Sequence, residues 1–549
     1  MSGSRNSRWA CVFGLLVAVS TVLSACAGPA PTQAPAPQAT QATGTGATPE
    51  VKPALQRKGT MIWHLDVEPR QLTPNYVYDS HAFMIVQNVF SRLVCYDARW
   101  NIAPELAQKW EMTDDGLKYT FHLRDDVKWH DGATFTSADV KWTIESIQNT
   151  KDAATAARVQ NISKVETPED YQVVITLKEP NLGFLGDLAH PWTFMILPKH
   201  IYEGTNPADN AHYNAPIGTG AFKFVDWQRG SHVTLEAVKD HWQEGPYLEK
   251  LVYRFVANNP TGLAAVEAGE MSFTELDGFA DAERLMSNPR VRVVQFAMPV
   301  LHHMDFKVTQ PPFDDPRVRK AFAYAINRDE ISEAVYHGLF TVAHHAYLKD
   351  IPWAFNPDAR QPGFDPQKAE SLLDEAGLHR GPDGVRLRFK AVVITGQGFP
   401  DMATVAQANL KKIGVEMELV QMDFGTYSEA VLNRHDAVLS LAGGFIGPYP
   451  DEWRHFIGTD GYRNPMEYSN PKVDALFKQA RTARTQEEAA EAYRDIQAII
   501  ADDLPWITLV TQNYVYVTSS NLQGLWMDPE GIVQQVPYDD VRLVRFADK

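Results

Sequence analysis

The 549-residue chain is 44% hydrophobic and 11% aromatic, enough for substantial cores, and its formal net charge is −17. An acidic body repels nucleic acid and anionic headgroups, so neither is expected as a partner. Of three cysteines, Cys11 and Cys26 lie in the N-terminal segment, which leaves Cys95 alone in the body and excludes an intrachain disulfide there.

At the N-terminus, Arg5 and Arg8 precede an uncharged run from Trp9 to Leu23 that ends in Leu23-Ser24-Ala25-Cys26. A positive start, an apolar stretch and a small-residue end predict a secretory signal over 1–25. Its Leu-Ser-Ala-Cys end resembles the lipobox of bacterial lipoproteins, which implies that the Cys26 thiol takes a diacylglyceryl group and becomes the mature N-terminus. The competing expectation is an uncleaved membrane helix, because Trp9 to Ala27 marginally reaches the ~20 apolar residues a span needs. Residues 26–57 are Ala, Pro, Gln, Thr and Gly with almost nothing large enough to bury, so they read as a disordered tether. Anchor, leash and folded body together place the protein on the outer side of a cell membrane, in the periplasm where there are two membranes.

From about Gly59 the chain reads as mixed α/β. Cys95, between Leu93-Val94 and Tyr96, is expected to be a buried structural thiol. Asp114-Asp115-Gly116 signals a turn, and Tyr119, Phe121 and Leu123 then alternate as one face of a strand. Tyr171 to Leu177 reads as another strand. Gly218-Thr219-Gly220 lacks the third glycine of a dinucleotide loop and precedes strand-like Ala221 to Phe224, so phosphate binding is not expected. Asp315 and Pro316 open a helix with Val318, Ala321, Phe322 and Ala325 on one face. Asp365-Pro366 opens a second, striped by Ala369, Leu372, Leu373 and Ala376 and stopped at Gly377. Val415, Met417 and Leu419 alternate as a strand. Thr485 with Glu488 predicts a capping box for a helix that buries Ala489, Ala492, Tyr493, Ile496 and Ile499. Strands follow at Trp506 to Val510 and near Tyr514-Val515-Tyr516-Val517.

No H-E-x-x-H, G-x-S-x-G or P-loop pattern occurs, so neither an enzyme nor a cofactor is expected. The doublets His302-His303 and His344-His345 do not predict a metal site. Adjacent side chains on a strand point to opposite faces, and surface histidine is the expectation. His130-Asp131 with Gly132 reads as a turn rather than a catalytic pair. The run Gly443 to Arg454 differs, because glycines and prolines keep it irregular while it carries Phe445, Tyr449, Asp451 and Trp453. Such a loop either lines a ligand cleft or packs its aromatics beneath itself.

Several collinear stretches carry a family resemblance. Pro104-Glu105-Leu106-Ala107 with Trp110-Glu111 leads into DDGLKYTFHLRDDVKWHDGATFTSADVKWT, Asp114 to Thr143. After it come PIGTGAFKF from Pro216, AAVEAGEM from Ala264, PPFDDPRVRKAFAYAINRDEI from Pro311, FDPQKAESLLDEAG from Phe364 and YSNPKVDALF from Tyr468. Together they resemble the extracellular solute-binding proteins of family 5, the peptide, nickel and oligosaccharide binders of ABC importers. The resemblance implies a periplasmic-binding-protein-like type II α/β fold. Lobe one takes 58–88, 196–310 and 514–549, an inserted subdomain takes 89–195, and lobe two takes 311–513. It also implies a monomer that closes its lobes on an organic solute and delivers it to a permease.

Members that hold a peptide's α-amino group carry an Asp in a Gly-Trp-x-x-Asp-Tyr-like loop. Here Phe445 stands at the Trp and Pro448 at the Asp, with Asp451 three residues later. Simple peptides are therefore expected to bind poorly, while sugars, opine-like compounds and modified peptides stay open. The expected ligand contacts are Phe445, Tyr449, Asp451 and Trp453, with Tyr76 and Tyr78 from lobe one. A surface receptor for a signalling partner is the alternative use of the same lobes.

Overall fold

Two long antiparallel strands, Val291–Phe306 and Trp506–Ser519, run side by side through the middle of the molecule. The computed structural model describes residues 57–547 apart from 77–78, 98–100, 151–152, 154, 191–193, 206–209, 277, 346–350, 446–448 and 526–540. The expected signal, Cys26 and nearly all of the tether lie outside the described residues, as do Tyr78 and Pro448.

Among the described residues, eleven strands form one mixed sheet around that central pair. On one side, Leu439–Phe445 pairs antiparallel with Val291–Phe306, and the parallel strands Leu387–Ile394 and Val415–Met422 extend it outward. On the other side, Phe273–Glu275 joins Trp506–Ser519 to Thr60–Leu65, which runs parallel to Lys250–Phe255. The strands His232–Ala237 and Phe222–Gln228 complete that edge. The central pair slips register between Ala297 and Leu301, opposite Asn513 and Thr511. An irregularity of this kind bends a ladder locally.

A separate four-stranded antiparallel sheet is built from Ala107–Met112, Lys118–Leu123, Gln172–Leu177 and Ile162–Glu169. Tyr119, Phe121 and Leu123 face its core, as their alternation predicts. The helix Ser137–Asn149 packs on this sheet through Val140, Ile144 and Ile147, and Thr136 with Asp139 forms its capping box.

The local signals in the other half also produce the expected elements. Asp315 accepts from the Arg317 backbone N–H at the start of Pro316–Ala325, and Asp365 from that of Lys368 at the start of Pro366–Glu375. Thr485 caps Gln486–Asp503 by accepting from the Glu488 N–H. The reciprocal half of that box differs from expectation. Glu488 reaches one residue further and accepts from the Arg484 N–H.

Two further expectations are corrected, those for Cys95 and for His302-His303. Cys95 is half-buried, its thiol directed at the carbonyls of Ala103 and Pro104 on the short neighbouring strand, 3.8 and 3.9 Å away. His302 and His303 are buried, not surface residues, because they sit on the central strand. They do point to opposite sides. His302, held neutral by burial with its pKa near 3, bridges the Tyr336 hydroxyl and Gln512 Oε1, each at 3.0 Å. His303 instead meets Asp305 at 2.7 Å and lies against Trp506. His130 does not pair with Asp131. It contacts the Gly220 carbonyl, while Asp131 meets His200. The Gly218-Thr219-Gly220 run is a packing device, since a Cβ on Gly218 would lie 1.8 Å from the Val89 carbonyl oxygen. Only glycine admits that backbone approach.

Candidate ligand cavity

A cavity of about 540 Å³ opens between the four-stranded segment, the central strands and the far half of the sheet. That volume suits a small organic molecule. The central strands supply its floor, with Val300, His303, Asp305, Gln512 and Tyr514. One wall comes from Arg158, Gly183, Gly186, Asp187 and His190. The opposite wall comes from Tyr427, the wide π-turn Ser428–Asn433, and the loop that carries Tyr449, Asp451 and Glu452. Phe424 and Tyr462 line it as well, yet are 59% and 57% exposed, so they mark its rim.

The two walls meet directly. Arg158 donates to Glu452 at 2.9 Å, with 294 residues between them in sequence, and contacts Asp187 at 3.3 Å. The Leu182 N–H donates to the Arg481 carbonyl at 2.9 Å. The Tyr449 ring lies so close to Gly183 that a Cβ there would come within 2.9 Å of it. Arg481 also contacts Glu179 at 3.5 Å across the gap.

Burial and charge sort the acids of this network. Burial pushes the Glu452 carboxyl up, but the adjacent Arg158, with Arg463 and His455 adding to it, holds the group below its ordinary value. Burial pushes Asp187 up to about 7 despite Arg158, with Glu452 and Asp451 adding repulsion. The geometry agrees, since Arg158 is nearer Glu452 than Asp187. Asp451 is pushed up to about 6 by burial, against the pull of Arg454 at 3.6 Å and Arg481 at 3.5 Å. Burial keeps His455 neutral, with its pKa near 4, and moves His190 well below its ordinary value.

On the floor, His303 is tied to Asp305, whose other oxygen accepts from Ser440 at 3.3 Å. The Tyr427 hydroxyl meets the same Ser440 at 3.3 Å. This chain of contacts fixes polar groups beneath the cavity without a mobile side chain.

The residues expected from sequence separate here. Tyr449 and Asp451 line the cavity. Trp453 is fully buried, its ring centroid 5.0 Å from that of Trp506, so it supports the loop from beneath. Pro450–Trp453 forms a single tight turn, which sends 451 and 452 to the cavity and 450 and 453 to the core. Gly443 to Phe445 are not irregular as expected, because they end the strand Leu439–Phe445 and pair with His302, Leu301 and Val300. Tyr76 does not line the cavity. Its hydroxyl lies 2.8 Å from Ser146 Oγ, and burial pushes its pKa to about 12. Arg158, Asp187, Arg463, Arg481 and the His303–Asp305 pair were not legible as site residues, because each stands in an ordinary local context.

Among the described residues, no group of three or more His, Cys, Asp or Glu side chains is placed to hold a metal ion, and no helix is long and apolar enough to cross a membrane. The profile of the bacterial extracellular solute-binding proteins, family 5 Middle, matches residues 101–463. A Brucella ovis protein named "Putative ABC transporter peptide-binding protein" is 33% identical over 494 residues, covering 86% of this chain and 91% of its own. The glutathione-binding protein GsiB of Salmonella paratyphi A is 29% identical over 480 residues, covering 84% and 90%. The ABC transporter substrate-binding protein CtaP of Listeria monocytogenes superposes with a TM-score of 0.80 at 26% identity, covering 90% of this chain and all of that one. With its two-sided sheet, its cavity and these relatives, the chain belongs to the bacterial extracellular solute-binding proteins of family 5, non-enzymatic binding proteins of ABC importers that act outside the cytoplasm.

Proposed function

We propose that this protein, anchored through a lipid on Cys26, captures a peptide-like or opine-like solute or an oligosaccharide and hands it to an ABC permease when its lobes close. The observation that carries the reading is the cavity itself, whose walls come from segments far apart in sequence and already touch through Arg158 and Glu452. A ligand that contacts both walls favours the closed form over the open one. Lobe one is 58–88, 196–310 and 514–549, the insert 89–195 and lobe two 311–513. The register slip near Ala297 and Leu301 supports a bending point close to those boundaries.

Unmodified dipeptides and tripeptides are expected to bind poorly. Asp451 is the acid nearest the position of an amino anchor, but two guanidiniums flank it. An incoming ammonium would meet their field. The test is mass spectrometry of whatever co-purifies with the protein, followed by calorimetry against peptides, opines and oligosaccharides. Micromolar binding of an unmodified peptide, about −8 kcal/mol, that is lost on Asp451→Asn would show that Asp451 serves as an ammonium anchor after all. Failure to retain or bind any small solute would overturn the reading.

The anchor has its own test. Each buried methylene adds about 0.8 kcal/mol, so two acyl chains hold a protein stably on a bilayer. Cys26→Ser is expected to release the protein or leave an unprocessed precursor. Unchanged membrane attachment with a cleaved signal would exclude lipidation at Cys26.

A further inference from the structure

Among the described residues, four arginines line the cavity, and three are committed. Arg158 is bound to Glu452 and Asp187, while Arg454 and Arg481 share Asp451. Arg463 has no carboxylate within ion-pair distance among the described residues. Its guanidinium carbon lies 5.4 Å from the ring centroid of Tyr462 and 5.8 Å from that of Phe456, which is cation–π range.

Backbone, not charge, holds it there. The Gly458 N–H donates to the Arg454 carbonyl, the Gly461 N–H to the Gly458 carbonyl and the Arg463 N–H to the His455 carbonyl, each at 2.9 Å. The chain from 454 to 463 therefore folds back on itself, and Tyr462 comes to rest 4.7 Å from the His455 ring. Arg463 is thus held in place on the cavity wall with no internal ion pair to break. Its charge is felt by its neighbours, since it helps hold Glu452 ionised and His455 neutral.

We propose that Arg463 is the docking point for a free carboxylate of the solute, so that the ligand class is an anionic or zwitterionic peptide-like acid rather than a neutral sugar. A guanidinium offers paired N–H donors in a planar fork that matches a carboxylate, and cavity walls exclude the water that would screen it. Glu452 and Asp451 are already paired with other arginines, which leaves that cation without an internal carboxylate partner among the described residues. This inference rests on the solute-capture reading above and narrows it.

The test uses two matched probes on the full chain, N-acetyl-trialanine and its C-terminal amide, which differ only in the carboxylate, together with glutathione and its diethyl ester. In each pair the acid is expected to bind the unaltered protein roughly 10- to 100-fold more tightly than its neutral partner. Arg463→Gln removes that preference, and Arg463→Lys keeps part of it. The ligand-free melting temperature falls only slightly in Arg463→Gln and less in Arg463→Lys, because the substitution gives up cation–π contacts with Tyr462 and Phe456 but no ion pair. Equal binding of acid and neutral partner would overturn the proposal, as would a preference that survives Arg463→Gln. Binding of neither acid overturns it too. If a neutral solute then co-purifies, solute capture stands and only the carboxylate site falls.

Discussion

Arg158→Ala is expected to open the protein. The substitution leaves Glu452 and Asp187 facing each other with their shared cation gone. Removing one partner of a buried ion pair typically costs about 3–5 kcal/mol, because the remaining charge stays desolvated. Here the two sides of the pair lie on different walls of the cavity, so the protein has an easier response than unfolding. Separating the walls rehydrates both acids. The penalty should therefore appear mainly as loss of the closed arrangement, with a smaller drop in melting temperature. Small-angle scattering of the ligand-free variant should give a larger radius of gyration than the unaltered protein, and Arg158→Lys should fall between them. Identical radii and identical melting temperatures would show that the pair contributes nothing to closure.

Asp187→Asn should change how stability depends on pH. The Asp187 carboxyl is raised from an ordinary value of 3.8 to about 7 in the folded protein, chiefly by burial. Below pH 4 both folded and unfolded chains hold the proton, and the group has no effect. Between pH 4 and 7 the unfolded chain releases it while the folded chain retains it, so folding grows less favourable as pH rises. Above pH 7 the penalty is complete, at most about 4 kcal/mol from roughly 1.36 kcal/mol per unit. The substituted amide carries no such penalty and keeps Asn181 as a hydrogen-bond partner. The variant should match the unaltered protein near pH 4 and exceed it by a few kcal/mol at pH 8, measured by urea unfolding. Asp451, raised to about 6, adds a slope of the same sign that both proteins share. A loss of stability at pH 8 would mean that the ionised Asp187 is needed beside Arg158.

The strands and helices were legible because their signals are local. Tyr119, Phe121 and Leu123 face one way by the two-residue period of a strand. Asp315 and Asp365 cap helices through N–H groups two or three residues away. The His302-His303 doublet shows where this stops. Its opposite orientation followed from strand geometry, but its burial depended on the strand being the centre of an eleven-stranded sheet.

The same boundary runs through the cavity. Composition and spacing marked Gly443 to Arg454 as an irregular aromatic loop, and the chain's motifs carried its family. Which side of the loop faces a ligand was decided by one tight turn, which turned Asp451 and Glu452 inward and seated Trp453 on Trp506. Charge pairing is further still from the sequence. Arg158 and Glu452 attract because folding sets them 2.9 Å apart, and nothing in either neighbourhood encodes a partner 294 residues away. Short-range hydrogen bonding and side-chain period are written along the chain. Coulomb energy and burial depend on distances that exist only once the two halves of the sheet and the inserted segment have packed.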